Sequence, residues 1–165
     1  MSRNDIRIVS PGPGSIPTLT YQVTSGAAAS IKAGEPVLLT TIGTSVYAEL
    51  ADDGDPTIGT DFWVGIAAKD STDTVAAAGE VEVWMPLPGV VYRAKAKSST
   101  AADTAAEILA LAQKRVPIDL TSSVFTVDTA AADGATNGLI LTGTGDASRN
   151  EVDFMISIRA TNLGF

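Results

Sequence analysis

Few side chains in this sequence have types and spacing that could do chemistry, and the densest group of them is acidic. Asp52, Asp53 and Asp55 stand together in Ala51-Asp52-Asp53-Gly54-Asp55-Pro56 and offer the carboxylate oxygens that calcium takes. The run lacks the alternating ligand spacing and the distant glutamate of the calcium-binding helix-loop-helix, so it reads as a solvated turn and no metal is assigned. Pro11-Gly12-Pro13-Gly14 and Thr142-Gly143-Thr144-Gly145-Asp146 resemble fragments of phosphate loops. Neither completes a nucleotide-binding fingerprint or opens a helix, and both read as turns. Covalent catalysis by a Ser-Lys pair needs the two side chains to meet in space, and nothing in the spacing marks such a pair.

Two absences narrow the chemistry further. The chain of 165 residues contains no Cys and no His, which removes the commonest zinc ligands, the usual general base near neutral pH, and both the Ser-His-Asp and Cys-His arrangements. Carboxylate, Tyr and Lys chemistry survives, so composition disfavours catalysis without forbidding it. The expectation is a protein that is not an enzyme, with no catalytic residue and no cofactor. A net charge of -8 repels polyphosphate, so nucleic acid is not an expected partner. No apolar run approaches the ~20 residues that cross a bilayer, and the N-terminal Met-Ser-Arg-Asn-Asp-Ile-Arg-Ile-Val-Ser has no signal-peptide core. No membrane partner is expected, and synthesis in the cytoplasm is the default.

The remaining candidates are binding residues. Arg93, Lys95 and Lys97 form a basic stripe along one strand face in an acidic protein. It is either a solvated face charged against aggregation or a contact for an acidic patch on a partner. Trp63 and Trp84 suit sugar stacking, an interface hot spot, or ordinary half-buried strand positions.

These residues need a scaffold, and the pattern predicts one made of sheet. Hydrophobic residues are 45% of the chain, charged residues 18% and aromatics only 5%, which fits a globular core of small and branched side chains. Residues 1–25 carry three prolines and two glycines and read as an extended N-terminal arm, whose Ile6, Ile8, Val9, Ile16 and Leu19 are placed to pack on a neighbour. Residues 26–165 read as a single β-rich domain. Strands are expected at 36–41, 46–50, 62–68, 81–87, 90–97, 116–120, 124–127, 138–142 and 151–158. Val81, Val83, Met85 and Leu87 alternate with Glu82, Trp84 and Pro86, and Pro88-Gly89 suits a type II turn, so 81–87 and 90–97 are expected to pair as a hairpin. On the return strand Val90, Tyr92, Ala94 and Ala96 should face the core. In the last strand Val152, Phe154, Ile156 and Ile158 should oppose Asp153, Met155, Ser157 and Arg159. Asn137-Gly138 is a tight-turn pair. One helix near 104–114 is expected, opened by the capping box Thr104-Ala105-Ala106-Glu107, buried along Ala105, Ile108, Leu109 and Ala112, and stopped by Pro117. The predicted fold is mainly β, a β-sandwich or barrel-like body with one short α-helix and the arm.

The order of these features resembles the capsid decoration (cement) proteins of tailed bacteriophages. The resemblance is carried by Ala33-Gly34-Glu35-Pro36-Val37, Trp63-Val64-Gly65-Ile66-Ala67, Gly79-Glu80-Val81-Glu82-Val83 with the Pro88-Gly89 turn, and Tyr92-Arg93-Ala94-Lys95-Ala96-Lys97 with the helix after it. It implies a structural virion protein that binds the capsid exterior and stabilises it, with the major capsid protein and its own copies (a homotrimer) as partners. The other expectations are a different virion component, such as a head-fibre base or a tail-tube protein, and a carbohydrate-binding surface module using Trp63, Trp84 and Tyr92 as a platform.

Overall fold

The computed structural model describes residues 6–12, 14–25 and 31–160, apart from the side chain of Ile158. Pro13 and the first five residues of the expected arm, and the inward position expected for Ile158, lie outside the described residues. The chain is mainly β, as its composition and alternation predict. Twelve strands are described: β1 (Arg7–Ser10), β2 (Thr18–Val23), β3 (Pro36–Ile42), β4 (Ser45–Leu50), β5 (Phe62–Ala67), β6 (Gly79–Trp84), β7 (Val91–Lys95), β8 (Arg115–Val116), β9 (Ile118–Thr121), β10 (Val124–Val127), β11 (Leu139–Asp146) and β12 (Glu151–Ile156). Strands β2-β4-β3-β5-β6 close a five-stranded barrel, β1-β7-β12-β11-β8 form an open sheet, and β9 and β10 form a separate hairpin.

Alternation explains how one barrel serves two cores. Val37, Val64, Ala67, Val81 and Val83 fill the barrel with Val23, Ile31 and Ala48. Leu38 and Trp63, each next to a barrel-filling valine, leave the barrel outward, and a register irregularity at Val64 and Gly65 switches the faces of β5 so that Ile66 does too; they join Tyr92, Phe154, Leu139 and Leu141 in a second core against the open sheet. There the Tyr92 and Phe154 rings stack with centroids 5.7 Å apart. Val90, Tyr92, Ala94 and Ala96 are all buried, as their alternation predicts. Gly65 lets β5 lie against β6: its φ is +141° and a Cβ there would sit 1.8 Å from the Trp84 carbonyl oxygen.

Four local expectations are corrected. The described residues of the 1–25 segment are no arm. Six residue pairs join β2 to β6 in the barrel, β1 pairs with β7 in the sheet, and Ile6 and Val23 are buried core residues. Prolines 11 and 17 lie in the link between the two strands rather than inside them, so they cost no ladder bond. The Pro88-Gly89 turn forms, with Val90 N–H donating to the Leu87 carbonyl (3.1 Å), yet β6 and β7 do not pair. The turn carries the chain from the barrel to the sheet, where β7 lies between β1 and β12.

Asn137-Gly138 is not a tight turn; Asn137 bridges Thr57, and Gly138 is small because a Cβ would sit 2.4 Å from Pro56 Cγ. The unforeseen tight turn is Ser122-Ser123, whose φ of 53° and 61° connects β9 to β10. The helix α1 (Ala105–Ala110) has the expected capping box at Thr104 and Glu107. It ends at Leu111, well before Pro117. Of its expected buried face only Ile108 is buried, Leu109 being 67% exposed, because the chain turns at Gln113 (φ 66°) to deliver β8 beside β11.

Candidate functional site

The basic stripe lies on β7, and the neighbouring strands face it with acid. Register places Arg93 opposite Asp153 and Lys95 opposite Glu151 on β12, and Arg93 opposite Arg7 on β1. Arg93 Nε and Nη2 donate to the two Asp153 carboxylate oxygens at 2.5 and 2.9 Å, and Thr144 Oγ1 donates to the same carboxylate at 2.8 Å. These bonds hold the Arg93 guanidinium above its ordinary pKa. Arg7 forks onto Glu151 at 3.0 and 2.5 Å. Lys97 Nζ reaches Asp119 (2.6 Å) and Asp128 (3.1 Å), and these contacts raise its pKa. Of the three stripe residues, only Lys95 has no ion pair among the described residues. The partner that the stripe calls for is already inside the chain.

A shallow depression of about 300 Å³ lies beside the stripe, lined by Lys95, Lys97, Ser99, Thr126, Arg149 and Asn150. Its cationic character is offset: Lys97 is held by two aspartates, and the Arg149 charge lowers the pKa of Asp146, whose main stabilising contact is Ser148.

The Asp52-Asp53-Asp55 loop spends its oxygens on backbone. Asp55 Oδ2 accepts from Asp52 N–H (2.6 Å) and Asp53 Oδ1 from Leu120 N–H (3.3 Å), while Ile118 N–H donates to the Asp55 carbonyl (2.7 Å). The loop thereby ties the barrel to β9. Burial pushes the Asp55 carboxyl up to about 6, opposed by the Asp52 N–H bond and reinforced by the charges of Asp61 and Asp52. Among the described residues no three Asp, Glu, His or Cys side chains gather as a metal site.

The aromatic candidates separate sharply. Trp63 and Tyr92 are buried at 0% and 1% exposure, and burial drives the Tyr92 phenol pKa upward; only Trp84 reaches the surface. The three therefore cannot form one exposed platform. The apolar candidates of the N-terminal segment separate too. Ile6 is buried, and Ile8 and Ile16 are half-buried against the shared core, so all three serve this chain's own fold rather than a neighbour. Val9 and Leu19 remain exposed.

The structure adds three residues that alternation alone does not single out. Ile42, Val46 and Phe62 are exposed at the end of the barrel where β3 turns into β4 and β5 begins. The sequence signal for Ile42 and Val46 is the lack of any charge across residues 36–48; Phe62, which follows Asp61, carries no such signal. Comparison with protein-family models, curated proteins and solved structures returns no match for this chain.

Proposed function

We propose that this chain is a non-enzymatic structural protein of a virion, docking on the outside of a tailed-phage capsid shell and stabilising it, with copies of itself as a homotrimer. The observation that carries the protein-binding part of this reading is the distribution of surface chemistry. On the open sheet Arg7 and Arg93 are turned to Glu151 and Asp153, whereas the barrel exposes Leu19, Ile42, Val46 and Phe62 to solvent. Large apolar side chains gathered at one end of a barrel, as Ile42, Val46 and Phe62 are, suit a protein contact, whereas singly scattered ones carry no such meaning. The resemblance of the sequence motifs to decoration proteins supplies the identity of the shell.

Attachment through Arg93, Lys95 and Lys97 does not belong to this reading, because Arg93 and Lys97 are committed to internal aspartates. The carbohydrate-module alternative loses its platform with Trp63 and Tyr92 in the core.

The test is co-sedimentation of the purified protein with expanded empty capsids. Saturable binding at a fixed number of copies per shell is expected, with light scattering giving a trimeric mass off the shell. Protein left wholly in the supernatant at micromolar concentration rules out the shell assignment.

A further inference from the structure

The barrel is closed by unequal seams. Six residue pairs join β3 to β4 and six join β2 to β6, but β2 meets β4 through the single parallel pair Val23 and Ala48. Among the described residues, 18–22 of β2 and 45–47 of β4 therefore have no partner strand on the sides that face each other. Backbone N–H and C=O groups along a strand point alternately to its two sides, so each of these segments keeps donors and acceptors unpaired by sheet.

Native sheets usually blunt such edges with charge, most often lysine. Here there is none. Residues 8–31 and 36–48 contain no Asp, Glu, Lys or Arg, in a chain whose net charge is -8. The side chains at the open end are apolar instead. Leu19 shares a face with Tyr21 and Val23, and Val46 with Ala48, so both continue the barrel's inner face beyond its core, at 44% and 55% exposure.

We propose that this open seam is a strand-acceptor site, where an extended, uncharged segment of a different protein adds along the unpaired edges of β2 and β4. Main-chain hydrogen bonds supply the attachment, and alternate apolar side chains of the incoming segment rest on Leu19 and Val46. Absence of charge on both edges selects the occupant: a charged segment would lose hydration against Leu19 and Val46 with no counterion to meet it. A second copy is a poor donor, because the two longest uncharged stretches of this chain already form β1 to β4 in their described residues. The proposal deepens the reading of this chain as a protein-binding structural component and names where the partner is held.

The test uses the full-length protein and a labelled nine-residue peptide of alternating threonine and valine ending in one lysine. Amides of residues 18–22 and 45–47 that face the seam should exchange with deuterium faster than those between β3 and β4, and peptide should slow them. Fluorescence anisotropy should rise with this peptide and not with a version carrying proline at alternate positions. The double variant Leu19→Lys, Val46→Lys should keep the wild-type melting temperature and bind at least about tenfold more weakly. Seam amides as protected as those of β3 in the free protein, or peptide binding unchanged in the double variant, overturns the proposal. Self-association that the double variant abolishes assigns the seam to a second copy and overturns the choice of partner. Co-sedimentation with capsids is scored separately: capsid binding without protection of the seam sinks the seam alone, and peptide binding without capsid binding sinks the shell alone.

Discussion

The barrel and the open sheet are built from similar short strands, yet they treat their outer surfaces in opposite ways. On the sheet, β12 is buried on both faces; Glu151 and Asp153 are 4% and 5% exposed and each is met by an arginine from β1 or β7. On the barrel, β2 and β3 carry no charge at all and leave Leu19 and Ile42 in solvent. Ion pairs satisfied within the chain offer little to a partner, since exchanging them for intermolecular pairs gains almost nothing. Exposed apolar side chains and unpaired strand edges keep that gain available. The comparison teaches that the paired charges of the sheet are a finished structure and that the uncharged strands β2 and β3 of the barrel are where apolar surface is left uncovered.

The largest expected effect concerns the segment that joins both regions. Deleting residues 1–25 removes an edge strand from the sheet and a wall from the barrel, together with the buried Ile6 and Val23. Each buried aliphatic side chain is worth about 1.5–3 kcal/mol, against a total stability of roughly 5–15 kcal/mol for a domain. The truncated chain should show no cooperative thermal transition by circular dichroism. A sharp transition near the full-length temperature shows instead that the two regions stand without this segment.

A smaller effect separates paired from idle charge on the sheet. Asp153→Ala removes both hydrogen bonds of the Arg93 guanidinium to this carboxylate, and a loss of about 2 kcal/mol in urea unfolding is expected. Lys95→Gln should stay within about 0.5 kcal/mol of wild type. Equal effects from the two variants end the claim that the stripe is selectively engaged.

The smallest effect lies at the loop that ties the barrel to the β9–β10 hairpin, and it depends on pH. The Asp55 carboxyl is pushed up to about 6, above the usual carboxylate value of about 3.9, so the folded state favours its protonated form. That contribution is fully present below about pH 4 and is lost as pH rises through 6. Asp55→Asn keeps an oxygen for the Asp52 N–H and removes the buried charge. At pH 7 the variant should be more stable than wild type by about 1 kcal/mol once solvent screening is allowed for, and the advantage should vanish near pH 4. Melting temperatures measured from pH 4 to 7.5 decide it; a constant difference across that range shows that Asp55 is not titrating there.

Much of this was legible locally. Alternation in Val81-Glu82-Val83 and in Val90 to Ala96 identified which side chains are buried, and Thr104 with Glu107 marked the start of the helix, because strand pleat and helix caps depend on residues within a few positions. Pro88-Gly89 likewise named its own turn. The turn did not name the strand partners: a two-residue reversal is compatible with a hairpin or with a crossing between sheets, and only the competing surfaces of β2, β1 and β12 settled which edge each strand took. The N-terminal segment departs from the expected arm for the same reason. Its prolines fix local dihedrals between strands, while its isoleucines were free to pack on a neighbour or on the chain itself until the core they fill had been assembled.

The candidate site divides in the same way. Arg93 and Lys97 could be recognised as cations on one face of a strand, but Asp153, Asp119 and Asp128 lie 60, 22 and 31 residues away along the chain, and only the folded register brings them within 2.5–3.1 Å. The sequence by itself determined the β class, the inward parity of β6 and β7 and the neutral character of residues 8–31 and 36–48, since these follow from side-chain type and a period of two. Tertiary structure decided which charges are satisfied, which aromatics are buried and which barrel seam stays open, because each of those is a property of two distant segments meeting, and no single segment contains it.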